Sequence, residues 1–157
     1  MVRRLLLVAV TAVLLGACGS GVQVRPEVAG DGRGAVYDSA GVCDALARVA
    51  ASDRRAGQDA AGLAGWDEVQ PVLVAASSDA ATLYREAQAV APAELVEPLE
   101  QVAATSEALS ELAARSDSRR AFQRDGQRLE GFVEAQAAVV ALNDYTRQSC
   151  GFTLVDN

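Results

Sequence analysis

The chain has 157 residues, half of them hydrophobic and 4% aromatic, with 14 basic and 21 acidic side chains and a net charge of −7. That length accommodates one ordinary domain with short appendages, and so acidic a balance argues against nucleic-acid binding, which depends on clustered positive charge. There is no His, which removes the commonest general base and the commonest metal ligand together.

Arg3 and Arg4 form a short positive segment, followed by an almost unbroken apolar run from Leu5 to Leu15. A secretory signal needs about 7–15 apolar residues, whereas a bilayer-spanning helix needs about 20. The run therefore reads as a targeting element. An ordinary signal site places small side chains first and third before the cut; a cut after Ala17 would leave the bulky Leu15 at the far position. Leu15-Gly16-Ala17-Cys18 instead resembles the lipobox of bacterial lipoproteins, a leucine, two small residues and a cysteine. The alternative is a secretory signal with a coincidental cysteine.

The lipobox resemblance implies that residues 1–17 are a signal peptide cut by signal peptidase II. It also implies a diacylglyceryl group on Cys18, which holds the chain on the outer face of the cell membrane. Two acyl chains anchor a protein stably where one gives marginal binding. Removing Arg3 and Arg4 with the signal takes two positive charges from −7 and leaves −9. Anionic headgroups repel such a chain, so membrane residence would rest on the lipid.

Residues 18–35 are Gly-rich, contain Pro26 and show little apolar periodicity. They read as a flexible tether with an average reach of roughly 20–25 Å. Residues 36–157 then form one helical domain.

A first helix is expected from about Asp38-Ser39, with Val42, Leu46 and Val49 on one face and Cys43 at its border. Ser52 to Arg55 and the glycines from Gly57 to Gly65 read as a loop enclosing a helical turn. A second helix is expected near Asp67, with Gln70 completing a capping-box variant and Pro71 early enough to be tolerated. Its seam is Val69, Leu73, Ala76, Ala80, Leu83, Ala87 and Val90. Pro92 ends that helix and begins the third, in which Leu95, Leu99, Val102, Ser106, Leu109 and Ala113 repeat the spacing and Pro98 predicts a kink or a late start. Ser116-Asp117-Ser118 supplies a turn and a cap. A fourth helix would face inward through Phe122, Leu129, Phe132, Val133, Val139, Val140 and Leu142, closing at Cys150-Gly151. With no hairpin pattern, the expected fold is all-α: an up-and-down four-helix bundle.

With Cys18 lipidated, Cys43 and Cys150 remain, and an exported chain with two cysteines most simply bonds them. In an up-and-down bundle the first helix begins where the fourth ends, which brings the pair together. A loop that long adds up to about 4 kcal/mol in the chain-entropy account. The alternatives are a redox pair, for which Cys-x-x-Cys spacing is missing, or two free thiols.

Glu94, Glu97, Glu100, Glu107 and Glu111 on the third helix read as a solvated face and not as a cation site. Arg115, Arg119, Arg120, Arg124 and Arg128 fill the next turn and helix. Equal rise on both sides of a turn at Asp117 predicts ion pairs of Glu111 with Arg124 and Glu107 with Arg128; a site for an acidic wall polymer is the functional alternative for this stripe. Trp66 is expected to cover one end of the core, the alternative being stacking on a sugar. Asn143, Asp144, Tyr145 and Arg147 are expected to hydrogen-bond around a helix end. No nucleotide-binding glycine motif and no catalytic constellation stands out.

The reading that follows is a non-enzymatic interaction or binding module of the cell envelope, without cofactor or metal. Its partners are the membrane, through Cys18, and an envelope protein or wall polymer. The alternative is a carrier whose bundle opens around an apolar ligand. Every basic residue is Arg and there is no Ile, which points to a GC-rich genome. In layout and cysteine placement the chain resembles the small helical lipoproteins of actinobacteria.

Overall fold

Ala-rich segments with apolar residues every three or four positions form five α-helices among the described residues. The structure, a computed structural model, describes residues 39–155; the signal, Cys18 and the tether lie outside the described residues. Helix α1 spans Ser39–Ala60, α2 Trp66–Ala89, α3 Ala93–Arg115, α4 Arg119–Gly126 and α5 Phe132–Tyr145, which continues into a π-helical turn at Thr146–Cys150. There is no strand among the described residues, and no helix among them is long and apolar enough to cross a membrane.

Helix α1 replaces the loop expected over its second half. The buried face of Val42, Leu46 and Val49 extends by the same spacing to Asp53, and the helix runs on through Gly57 to Ala60. A mid-helix glycine costs about 1 kcal/mol relative to Ala, which the packing of α1 along α2 offsets.

Helix α2 begins one residue earlier than the Asp67–Gln70 reading. Gly65 is the N-cap, and the Glu68 carboxylate accepts from the Gly65 and Ala64 backbone N–H groups at 3.1 and 3.2 Å. Glu68 is the third helical residue, where a capping-box acid belongs. The seam also rotates. Val69, Leu73 and Ala87 are buried as expected, but between them the buried line runs through Ser77, Ala81 and Tyr84, while Val90 is 44% exposed. A strict four-three stripe drifts around a straight helix of 3.6 residues per turn, so contact with a straight neighbour moves to adjacent positions.

Pro92 caps α3 from outside, in extended conformation, and does not start it. Pro71 and Pro98 each stand at the sixth position of their helices, α2 and α3, and both helices pass through them. Leu95, Leu99, Val102, Leu109 and Ala113 are buried on α3, joined by Thr105 and Leu112.

The expected fourth helix is two helices. The Ser118 hydroxyl accepts from the Ala121 N–H at 3.2 Å and caps α4, but α4 stops after eight residues. Tighter bonds then close the chain, from Leu129 N–H to the Gly126 carbonyl and from Phe132 N–H to the Leu129 carbonyl, both 3.2 Å. Gly131 sits at φ +76°, a left-handed conformation that glycine adopts without the Cβ clash of other residues. Helix α5 restarts from there with a different rotation. Phe132, Val139 and Leu142 face inward, whereas Val133 and Val140 are 70% and 54% exposed. The placement of Val133 and Val140 on the inner side is thereby corrected.

Helix α1 packs on α2, α2 on α3, and α3 on α5, with α4 against α3 and the π-helical turn against α1. Two apolar cores result among the described residues. The larger joins Val42, Leu46 and Val49 to Tyr84, Leu99, Val102, Val139, Leu142 and Leu154. The smaller joins Val69 and Leu73 to Leu109, Leu112, Ala113 and Phe122, with Trp66, Leu63 and Leu129 packed on it.

Candidate functional site

Cys43 and Cys150 form the disulfide that their count and placement imply, with Cα atoms 5.5 Å apart and 107 residues of separation. The bond ties the start of α1 to the end of the π-helical turn. Gly151 then adopts φ +76°, and the tail folds back so that Leu154 is buried in the larger core. Asn143 holds this return: its side-chain oxygen accepts from the Leu154 and Val155 N–H groups at 2.9 and 3.4 Å. Buried Thr146 donates from its hydroxyl to the Asn143 carbonyl at 3.0 Å. Hydrogen bonding around the helix end is therefore the role of Asn143, as expected of that cluster.

Folding the tail against α1 leaves an open groove of about 740 Å³ between them, lined by Ala47, Ala50 and Arg54 of α1 and by Arg147, Gly151, Phe152 and Thr153. Ala47, Ala50 and Arg54 share one face of α1 by helical spacing, and the small alanines leave the floor low. Two positive charges and no carboxylate line the groove. Arg48, Arg85, Arg115 and Arg124 each pair with an acid; Arg54 and Arg147, like Arg55, Arg119, Arg120 and Arg128, have no ion pair among the described residues. Arg147 belongs to the polar cluster expected at the helix end, whereas Arg54 falls in the segment expected to be a loop, because the spacing of Val42, Leu46 and Val49 meets Asp53 at its next step and no apolar residue there marks the helix as continuing.

A second open groove of about 400 Å³ lies between α1 and α2, lined by Arg48, Ser52, Arg55, Asp79, Thr82 and Leu83 among others. It carries both signs of charge. Both grooves are open to solvent.

At the opposite end, the short helix α4 buries Phe122 and Gly126 and exposes Arg120 and Arg124. Arg124 donates twice to Asp125 at 2.7 Å, and that bond, with the charges of Arg124, Arg128 and Arg115, holds the Asp125 carboxyl below the usual range. The expected pairing of Glu111 with Arg124 and Glu107 with Arg128 does not form. Glu107 of α3 pairs with Arg85 of α2, and Glu111 lies 4.0 Å from Arg115 within α3. The break after Gly126 removes the continuous antiparallel register on which that expectation rested.

Trp66 takes the core role. Its ring lies 5.8 Å from that of Phe122, and its indole N–H donates to the Ser116 carbonyl at 2.7 Å. Gln70 reaches the same region, donating to the carbonyls of Ala113, Ala114 and Ser116 at 2.8, 3.2 and 3.2 Å. The end of α3 is thus capped by side chains from α2.

One titrating group was not anticipated. Asp53 lies on the inner side of α1, where burial raises its carboxyl from 3.8 to about 6 against the opposing charge of Arg54. Burial raises the Tyr84 hydroxyl on α2, and the Asp53 charge raises it further. Among the described residues no three His, Cys, Asp or Glu side chains group as metal ligands. Compared with protein-family models, with curated proteins and with solved structures, the chain matches none of them.

Proposed function

We propose that this chain is a lipid-anchored binding module on the outer face of a bacterial cell membrane, acting by non-covalent contact with an envelope partner. The observation that carries the reading is the run Leu15-Gly16-Ala17-Cys18 behind a charged and an apolar segment of signal length. The Cys43–Cys150 bond supports it, because structural disulfides persist in oxidising compartments outside the cytoplasm. Helix-to-helix packing in chain order, with the first and last elements bonded, supports an up-and-down arrangement in which α4 and α5 together stand for the fourth rod. A rigid helical body on a tether is suited to presenting a surface and not to moving through the bilayer.

Fractionation of cells expressing the full chain or the Cys18→Ser variant tests the anchor, with mass spectrometry of the N-terminus. The native chain is expected in the membrane fraction with a diacylglyceryl group on Cys18, and the variant released or left unprocessed. Equal membrane retention and equal size of the two forms would overturn the proposal.

A further inference from the structure

The groove beside the disulfide joins three features that point to a ligand. Its charged lining is purely positive, Arg54 from α1 and Arg147 from the π-helical turn, on a chain whose net charge is −7. Neither guanidinium forms an ion pair among the described residues; the carboxyl of Asp53, next to Arg54 in sequence, feels the Arg54 charge but does not line the groove. Beside the charges lie an aromatic wall, Phe152, and an alanine floor, Ala47 and Ala50.

A guanidinium presents planar donors that match the oxygens of a carboxylate or phosphate. Two of them flanking one concavity hold an anion better than either alone, because the attraction of both falls on the same charge. The apolar wall and floor contribute by covering hydrophobic surface. The volume of about 740 Å³ falls within the range of about 300–1,000 Å³ usual for small-molecule sites, well above what a bare phosphate fills. From this we propose that the groove binds a small amphiphilic anion. Arg54 and Arg147 hold its carboxylate or phosphate, and Phe152, Ala47 and Ala50 cover its apolar body.

Position in the fold adds a consequence. Arg147 and Phe152 flank Cys150 in sequence, so the disulfide, with Gly151 and the Asn143 contacts, holds one wall of the groove against the other. This inference deepens the binding-module reading without depending on the lipid at Cys18.

The test is calorimetric titration of the full chain, purified oxidised in a non-ionic detergent, with phenyl phosphate, phenylacetate and inorganic phosphate. Saturable binding of either aromatic anion, at least about tenfold tighter than inorganic phosphate, is expected. Arg54→Gln and Arg147→Gln should each weaken it by about tenfold, the scale of one lost charge-assisted bond. Ala47→Leu should weaken it by filling the floor. The Arg120→Gln/Arg128→Gln double variant, at the far basic end, should bind as the native chain does. All these positions are exposed, and unchanged circular dichroism establishes folding. Absence of saturable binding by both aromatic anions, equal affinity for inorganic phosphate, or equal loss in the far double variant would overturn the proposal. Those failures leave the anchor standing, since fractionation of the Cys18→Ser variant reads it separately.

Discussion

The Trp66 indole N–H donates to the Ser116 carbonyl at 2.7 Å, fastening the first residue of α2 to the residue that ends α3 across fifty positions of chain. Gln70 donates to the same carbonyl at 3.2 Å. Trp66→Phe keeps an aromatic ring against Phe122 and removes one donor, and should cost about 1 kcal/mol in urea unfolding. Gln70→Ala should cost a similar amount, about 1 kcal/mol, by uncapping Ala113. The double variant should lose more than the sum of the two, because only then does the Ser116 carbonyl lack both donors. Strict additivity would show that the two side chains do not share this acceptor.

The bond from Cys43 to Cys150 encloses nearly the whole described chain. Reduction, or the Cys43→Ala/Cys150→Ala pair, should lower the free energy of unfolding by about 2–4 kcal/mol. The effect should appear in the denaturant midpoint while helicity at low denaturant is retained, since the apolar cores of α1, α2, α3 and α5 do not need the bridge. An unchanged midpoint would show that the loop is not constrained by it.

Asp53 makes stability depend on pH in the direction opposite to a salt-bridged carboxylate. Burial raises its folded-state pKa to about 6 from an ordinary 3.8. Between those values the folded chain holds the proton and the unfolded chain releases it. Stability should therefore fall as pH rises from about 4 to about 6, and stay lower above that window. Asp53→Asn should flatten this slope and be the more stable form above pH 7 by about 1–2 kcal/mol. Thermal melts of both forms across the range check it; a native slope that persists in the variant would assign the effect to another group.

Val139 and Val140 are neighbours with opposite environments, 3% and 54% exposed. Val139→Asp places a charge in the larger core and should cost more than about 3 kcal/mol or prevent folding. Val140→Asp should change stability by less than about 0.5 kcal/mol. Similar losses at both positions would contradict the rotation that Gly131 imposes on α5.

Much of the scaffold was readable one residue at a time. The Ser118 cap, the left-handed Gly151 and the helical face of Val42, Leu46 and Val49 all rest on interactions within a few positions of each other, which pattern reports directly. The α4–α5 break was less legible. Gly126 and Gly131 are visible in the chain, but a helix tolerates glycine when tertiary packing favours continuation, as Gly57 in α1 demonstrates. The same residue type ends one helix and passes unnoticed in another, so the outcome depends on what each segment packs against. The ion pairs failed for the same reason: Glu107 finds Arg85 because α2 lies against that face of α3.

By itself the sequence determined the all-helical class, the principal core positions and the partnership of Cys43 with Cys150, because periodicity, caps and cysteine count are local or additive properties. Only the tertiary structure decided which arginines go unpaired and that Arg54, Arg147 and Phe152 meet in one groove. Such juxtapositions depend on the rotation of each helix about its axis and on where the tail turns back. Those are fixed by packing between residues far apart in the chain, to which no local pattern responds.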